Sequence, residues 1–157
     1  MHVVSINISH GGIPKRPVAS TMVRVGGLEH DAHNHEKHRG PQVAVSLLDL
    51  EMIEALVREG FSLEPGSTGE NLTLSAVDVQ SMTVGDRLRF INPDGSGGPE
   101  IELTKKRKPC YVLDSIDPRL KVAAVDRIGF LGRVVTEGRL ERGATVVPMR
   151  ATASAEA

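Results

Sequence analysis

The stretch Leu88-Arg89-Phe90-Ile91-Asn92-Pro93-Asp94-Gly95-Ser96-Gly97-Gly98-Pro99-Glu100-Ile101-Glu102-Leu103-Thr104 reads as a strand, a turn and a returning strand. Leu88 and Phe90 on the first arm, and Ile101 and Leu103 on the second, recur with the period of two that puts every other side chain on one face. Asp94-Gly95 and Gly97-Gly98 between them favour the positive φ of a tight reversal. The same pattern spreads outward. Val84-Gly85-Asp86-Arg87 turns into the first arm, and Asn71-Leu72-Thr73-Leu74 enters another strand from the turn-rich residues 65–69. Residues 3–8, 21–25 and 43–45 read as short strands. Residues 133–136 and 145–147 read as a closing hairpin joined through the glycine-flanked segment 138–143.

Two segments break this pattern. Residues 47–59 carry apolar side chains at helical spacing: Leu48, Met52 and Leu56 in one row, Leu50, Ile53 and Val57 in the next. Ser46 is the expected N-cap and Gly60 the C′ residue. A second helical turn is expected to start at Asp117, with Pro118 in the first position. Many short strands, two helical pieces and no strand–helix–strand alternation predict a mainly β (α+β) fold, a partly closed β-barrel with attached short helices. Residues 1–150 form one domain, and the small-residue tail 151–157 is expected to be disordered.

Bulk composition excludes several functions. Three Phe, one Tyr and no Trp offer few surfaces on which bases could stack, and a formal net charge of -1 supplies no field for nucleic acid. No apolar run approaches the ~20 residues of a membrane helix. Residues 1–9 lack the charged and long apolar regions of a secretory signal. One cysteine rules out an intrachain disulfide and suits a reducing, cytoplasmic setting.

That cysteine closes the run Lys105-Lys106-Arg107-Lys108-Pro109-Cys110. A thiolate, not a thiol, is the nucleophile and soft metal ligand, and neighbouring cations favour the thiolate. Lys and Arg also bind phosphate. Local chemistry alone leaves a reactive thiol and an inert one beside a solvated basic turn equally open. Three other clusters are weaker. His30, His33, His35 and His38 lie within nine residues but match no standard zinc spacing, so they read as a polar loop. Gly66-Ser67-Thr68-Gly69-Glu70-Asn71 is glycine-rich but is neither a Walker loop nor a dinucleotide fingerprint. Gly11-Gly12-Ile13-Pro14-Lys15-Arg16 places two cations after a glycine turn.

The order of these pieces is more specific than any one of them. Gly12-Ile13-Pro14-Lys15, Gly27-Leu28-Glu29-His30-Asp31, His38-Arg39-Gly40-Pro41-Gln42-Val43-Ala44-Val45, Gly69-Glu70-Asn71-Leu72-Thr73, Val84-Gly85-Asp86-Arg87-Leu88, Pro109-Cys110 and the segment 129–143 follow one another along the chain. Together they resemble the MOSC domain, the C-terminal domain type of molybdenum-cofactor sulfurases, which also occurs as stand-alone bacterial proteins. The resemblance implies a barrel of the MOSC and pyruvate-kinase-barrel type, and a functional cysteine matching Cys110. It implies two roles for Cys110. One is to ligate the molybdenum of a pterin (molybdopterin) cofactor in an oxidoreductase acting on N-hydroxylated compounds. The other is to carry sulfur as a persulfide, received from a pyridoxal-phosphate-dependent cysteine desulfurase. Lys15, Arg39 and Asn71 are the cofactor-binding residues this resemblance implies; strand alternation through the basic run adds Lys106 and Lys108, on the side of Cys110, as holders of an anionic cofactor. The implied partners are the cofactor or its biosynthesis enzymes, a cysteine desulfurase, or an electron-transfer protein. A domain that keeps the fold without the chemistry is the third reading.

Overall fold

Leu88 and Phe90 are buried, as are Pro99, Ile101 and Leu103 opposite them, while Arg89 between the first pair is exposed. The computed structural model, which describes residues 1–32 and 40–151, thus carries the alternation of the central hairpin into a core. The hairpin comprises β7 (Arg87–Ile91) and β8 (Gly97–Lys106), paired antiparallel with Leu88 opposite Ile101. The other strands are β1 (His2–Ile8), β2 (Arg16–Val18), β3 (Ser20–Arg24), β4 (Gly27–Leu28), β5 (Val45–Asp49), β6 (Leu72–Ser75), β9 (Phe130–Thr136), β10 (Gly138–Glu141) and β11 (Thr145–Met149). Seven of them run round in the order β11-β7-β8-β9-β5-β6-β1, and β1 meets β11 again at His2 and Thr145. The barrel is therefore closed, which removes the free edges that a sheet would otherwise have to protect. β2 pairs with the outer part of β1, and β10-β3-β4 form a small second sheet.

The barrel interior holds Val3, Ile6, Leu47, Leu72, Leu74, Leu88, Phe90, Ile101, Leu103, Phe130, Val134 and Val146. Each large aliphatic or aromatic side chain withdrawn there contributes about 1.5–3 kcal/mol. A second apolar cluster sits outside the barrel. It packs α1 (Leu50–Arg58) against the short helix α2 (Leu120–Ala123) and a 3-10 turn, Tyr111–Ser115, through Leu56, Phe61, Leu113, Leu120, Ala124 and Ile128. Because Tyr111–Ser115 directly follows Cys110, this cluster fixes where the basic run ends.

Three expectations change. Residues 43–45 are not a strand: Pro41–Val43 is a 3-10 turn, and the strand runs from Val45 to Asp49. The helix consequently starts at Leu50, and Ser46 is a buried strand residue rather than a cap. Every residue of Val45-Ser46-Leu47-Leu48-Asp49 is buried, because β5 is covered on both faces and runs parallel to β6. Such a strand loses the alternation that distinguishes it from a helical segment. The closing hairpin is also absent. β9 pairs with β8 and β5, whereas β11 pairs with β7 and β1, and the segment between them is a strand, β10, bound to β3. Asp117 stands two residues ahead of the α2 N-cap, Arg119, rather than at it: its Oδ1 accepts the Arg119 N–H at 2.8 Å, and bonding to Arg119 holds its pKa at about 2. The expected tail lies, beyond Ala151, outside the described residues.

The end of β11 is held by one buried carboxylate. Asp86, 2% exposed, accepts N–H groups from Ala151 at 2.7 Å and Thr83 at 2.9 Å, with the Arg150 guanidinium at 3.2 Å. Burial opposes ionisation, but these donors outweigh it, and the pKa of Asp86 lies below the ordinary carboxylate value. A depressed folded-state pKa gives stability that is present above the unfolded value of about 3.9 and is lost as pH falls through the folded value. Asp86→Asn is therefore predicted to lower Tm at pH 7 by roughly 2–4 °C. It should also flatten the acid limb of the Tm–pH curve below about pH 4. Parallel acid limbs for the two proteins would refute this assignment.

Candidate functional site

A cavity opens beside Cys110. It is lined by Gly12, Ile13 and Lys15 from the β1–β2 loop, Val43 and Ser46 around the start of β5, and Gly69 and Asn71 ahead of β6. Arg107, Lys108, Cys110, Val112, Leu113, Ile128 and Leu131 complete it. The space open to water centres is about 110 Å³, several times the roughly 10–15 Å³ needed by one water. One wall is aliphatic and the other polar and cationic.

Asn71 organises the polar wall. Its Oδ1 accepts from the Ser46 N–H at 3.1 Å and from Ser46 Oγ at 3.2 Å. Its Nδ2 donates to the Asn7 carbonyl at 3.1 Å and to Asp31 Oδ2 at 2.9 Å. The four bonds fix the amide orientation and use both of its donors. Asp31 also accepts the Ser9 N–H at 2.9 Å and both contacts of the Lys15 ammonium, at 2.7 and 2.8 Å. The Lys15 and Asp31 side chains are 9% and 1% exposed, so the pair is withdrawn from water.

Arg107 lies on the facing side. Its backbone N–H bonds to Gly129 O at 2.9 Å. Gly129 adopts φ +82°, and a Cβ there would fall 1.8 Å from Leu47 O, so only glycine lets this segment approach β5. The Arg107 guanidinium donates to Thr68 Oγ1 at 3.2 Å and to Thr68 O. Thr68 Oγ1 in turn donates to Glu70 Oε1 at 2.7 Å. Glu70 is wholly buried and also accepts from Gly66 N at 2.9 Å and Thr73 Oγ1 at 2.8 Å. Desolvation lowers the pKa of Arg107, opposed by the nearby Glu70 carboxylate. Gly69 adopts φ +94°, and a Cβ on it would meet Ile13 Cγ2 at 2.9 Å and Arg107 Nη2 at 3.2 Å. A side chain there would press the guanidinium out of place.

Of the residues expected at the site, Lys15, Asn71, Lys108 and Cys110 line the same cavity. Lys106 does not line it; its ammonium lies 3.8 Å from Asp126 on the outer surface. Arg39, His33, His35 and His38 fall outside the described residues. The described residues include no cluster of three or more metal-ligating side chains. Arg107, Ser46, Asp31 and Gly69 were not singled out from sequence. Arg107 stood in the basic run and Gly69 in the glycine loop, but Ser46 was read as a helix cap.

The Lys15–Asp31 pair predicts an asymmetry. Asp31→Ala leaves a buried ammonium with no counter-charge and should cost about 3–5 kcal/mol in urea unfolding. Lys15→Met should cost less, because Asp31 retains the Ser9 and Asn71 donors. Equal costs, or the reverse order, would contradict the geometry.

The profile of the MOSC domain matches residues 34–147. A search of curated proteins returns no match. Among solved structures, YiiM of Geobacillus stearothermophilus superposes with a TM-score of 0.76 at 25% identity, over 98% of this chain and 77% of its own. The YuaD protein of Bacillus subtilis superposes with a TM-score of 0.73 at 18% identity, over 96% of each chain. YiiM of Escherichia coli does so at 0.65 and 22% identity, over 94% of this chain and 70% of its own. The fold of these last two is shared. No helix of the described residues is long and apolar enough to cross a membrane. With the profile covering most of the chain and the closed barrel reproduced, the chain belongs to the MOSC domain family.

Proposed function

We propose that the cavity holds the molybdenum cofactor, with Cys110 as a ligand of the metal and Arg107 and Lys108 facing its anionic group. The observation that carries this reading is that Cys110, a free thiol, lines the same cavity as these two cations. A thiolate is a soft ligand suited to a soft metal site, and Arg and Lys are the usual holders of phosphate oxygens. Ile13, Val43, Val112, Ile128 and Leu131 provide an apolar wall for a flat ring system. The residues present therefore fit the group that the family is associated with.

Within this reading the residues divide their work. Cys110 binds the metal. Arg107, kept in place by the Thr68–Glu70 relay, and Lys108 balance negative charge. Asn71 and Lys15 give the polar wall its shape, since their side chains are already engaged with Ser46, Asn7 and Asp31. Lys106, set against Asp126 on the outer surface, takes no part in this reading, and Arg39 is kept as a further binding residue on the strength of the resemblance. When bound, the cofactor supplies a redox-active metal for removing oxygen from an N-hydroxylated compound. That conversion consumes two electrons and two protons and releases water. One cysteine among these residues cannot build a four-cysteine iron–sulfur cluster, so electrons must reach the cavity from outside this domain.

Reconstitution with the cofactor followed by metal analysis tests the reading. About one molybdenum per chain is expected for the wild type, with a loss of tenfold or more in Cys110→Ala and a smaller loss in Arg107→Gln. Negligible molybdenum in wild type and Cys110→Ala alike would refute it. One added sulfur on Cys110 after incubation with a cysteine desulfurase, in a chain that takes no molybdenum, would establish the sulfur-carrier role instead.

A further inference from the structure

Cys110 sits on a segment that leaves the barrel and returns to it at one narrow neck. Lys106 pairs with Phe130 where β8 meets β9, and the Arg107 N–H bonds to Gly129 O at 2.9 Å. Residues 108–128, between these points, belong to neither sheet. Among the described residues, their backbone–backbone hydrogen bonds stay inside the segment, from Leu113 N–H to Cys110 O through to Arg127 N–H to Ala124 O. Side chains dock the segment instead. Leu113, Leu120, Ala124 and Ile128 pack against Leu56 of α1 and Phe61 just after it. Arg119 lies 5.5 Å over the Phe61 ring, and the Arg127 guanidinium donates to Glu59 Oε1 at 3.0 Å.

The neck is fixed to the barrel. Gly129 is wedged against Leu47 O, and Arg107 is held by Gly129 and Thr68. The two legs of the segment can therefore turn only beyond it: at Lys108 on the way out, and on the return between Ile128 and Asp126, whose φ of +61° reverses the chain. Lys108, Cys110, Val112, Leu113 and Ile128 are the part of the cavity wall that the segment supplies, whereas Lys15, Ser46, Gly69 and Asn71 belong to the barrel and its loops. α2 is one turn of four residues, too short to persist without its apolar contacts. A unit docked through one side-chain interface can open below the free energy of global unfolding. The Arg127 and Glu59 side chains are 28% and 45% exposed, so the apolar cluster rather than this pair governs how often the segment opens.

We propose that residues 108–128 open as one unit while the barrel stays folded, and that this opening is the route by which an anionic ring-bearing ligand enters and leaves the cavity. The opening stands on the docking geometry alone. The identity of the ligand rests on the cofactor reading above. Arg107 and its Thr68 contact stay with the barrel, whereas Lys108 and Cys110 move with the segment. Closure therefore brings the thiol to an anion that the guanidinium already faces.

Hydrogen exchange on the full chain without cofactor, followed by mass spectrometry, reads the opening. Amides of residues 111–127 should exchange about tenfold or more faster than those of β8 and β9. Val146→Ala, a truncation in the barrel core, should speed exchange in β8 and β9 about tenfold and change the segment less than about twofold, because the barrel stays folded when the segment opens. Leu120→Ala, buried in the second cluster and absent from the cavity lining, should speed segment exchange about tenfold or more. Glu59→Gln should speed it less than about fivefold. Equal exchange in segment and barrel, raised alike by Val146→Ala, would overturn the proposal. In reconstitution at saturating cofactor, Leu120→Ala should take up molybdenum faster by about the factor by which its segment exchange rises. An unchanged uptake rate would overturn the entry route. A wild type that takes up no molybdenum would instead condemn the cofactor reading and remove this ligand, while the exchange pattern still decides whether the segment opens.

Discussion

The side-chain amide of Asn71 is the fastener on which the site depends. It joins three strands at one point: β6, which it introduces, β5 through Ser46, and β1 through Asn7. Its remaining contact reaches Asp31, and through Asp31 the ammonium of Lys15 and the backbone of Ser9. A buried amide satisfied at every position stabilises one arrangement of its neighbours and penalises others, because each lost partner leaves a desolvated polar atom. The closed barrel makes this possible. With β1 and β11 paired, the ends of β1 and the starts of β5 and β6 cannot drift apart, and the loops carrying Lys15 and Gly69 converge on the same cavity.

Charge at the site is arranged in two layers. Each of the two inner cations has an internal counter-charge: Lys15 meets Asp31 directly, and Arg107 reaches Glu70 through Thr68. Uncompensated ammonium or guanidinium groups in such a place would cost several kcal/mol each. Lys15 is therefore compensated directly, whereas Arg107, which meets Glu70 only through Thr68, and Lys108 are the cations left facing the cavity. That division explains how a chain with a net charge of -1 presents a basic mouth.

Much of the fold was legible. The hairpin around Asp94-Gly95 has clean alternation because one face of each strand meets the core. β5 was misread for the opposite reason: buried on both faces, Val45-Ser46-Leu47-Leu48-Asp49 shows the unbroken apolar character that helix and strand share. The pairing of β9 and β11 was beyond local reading, since their partners lie far away in sequence and closure is a property of the whole ring. At the site, Cys110 and Lys15 stood out as chemistry-bearing residues next to proline, and Asn71 as the polar residue that ends a glycine-rich loop. Arg107 did not, because strand alternation carried through the basic run groups Lys106 and Lys108 with Cys110. The strand ends at Lys106, and the bond from Arg107 N–H to Gly129 O redirects the chain there. Asp31 was hidden among histidines, and only the fold brings it to Lys15.

The central claim is that Cys110 binds the metal of a cofactor held in this cavity. X-ray absorption at the molybdenum edge of the reconstituted protein tests it most directly, with Cys110→Ser as the comparison. The account predicts that the variant's metal has one sulfur neighbour fewer than the wild type's. An unchanged sulfur shell in a variant that still holds the cofactor would contradict it.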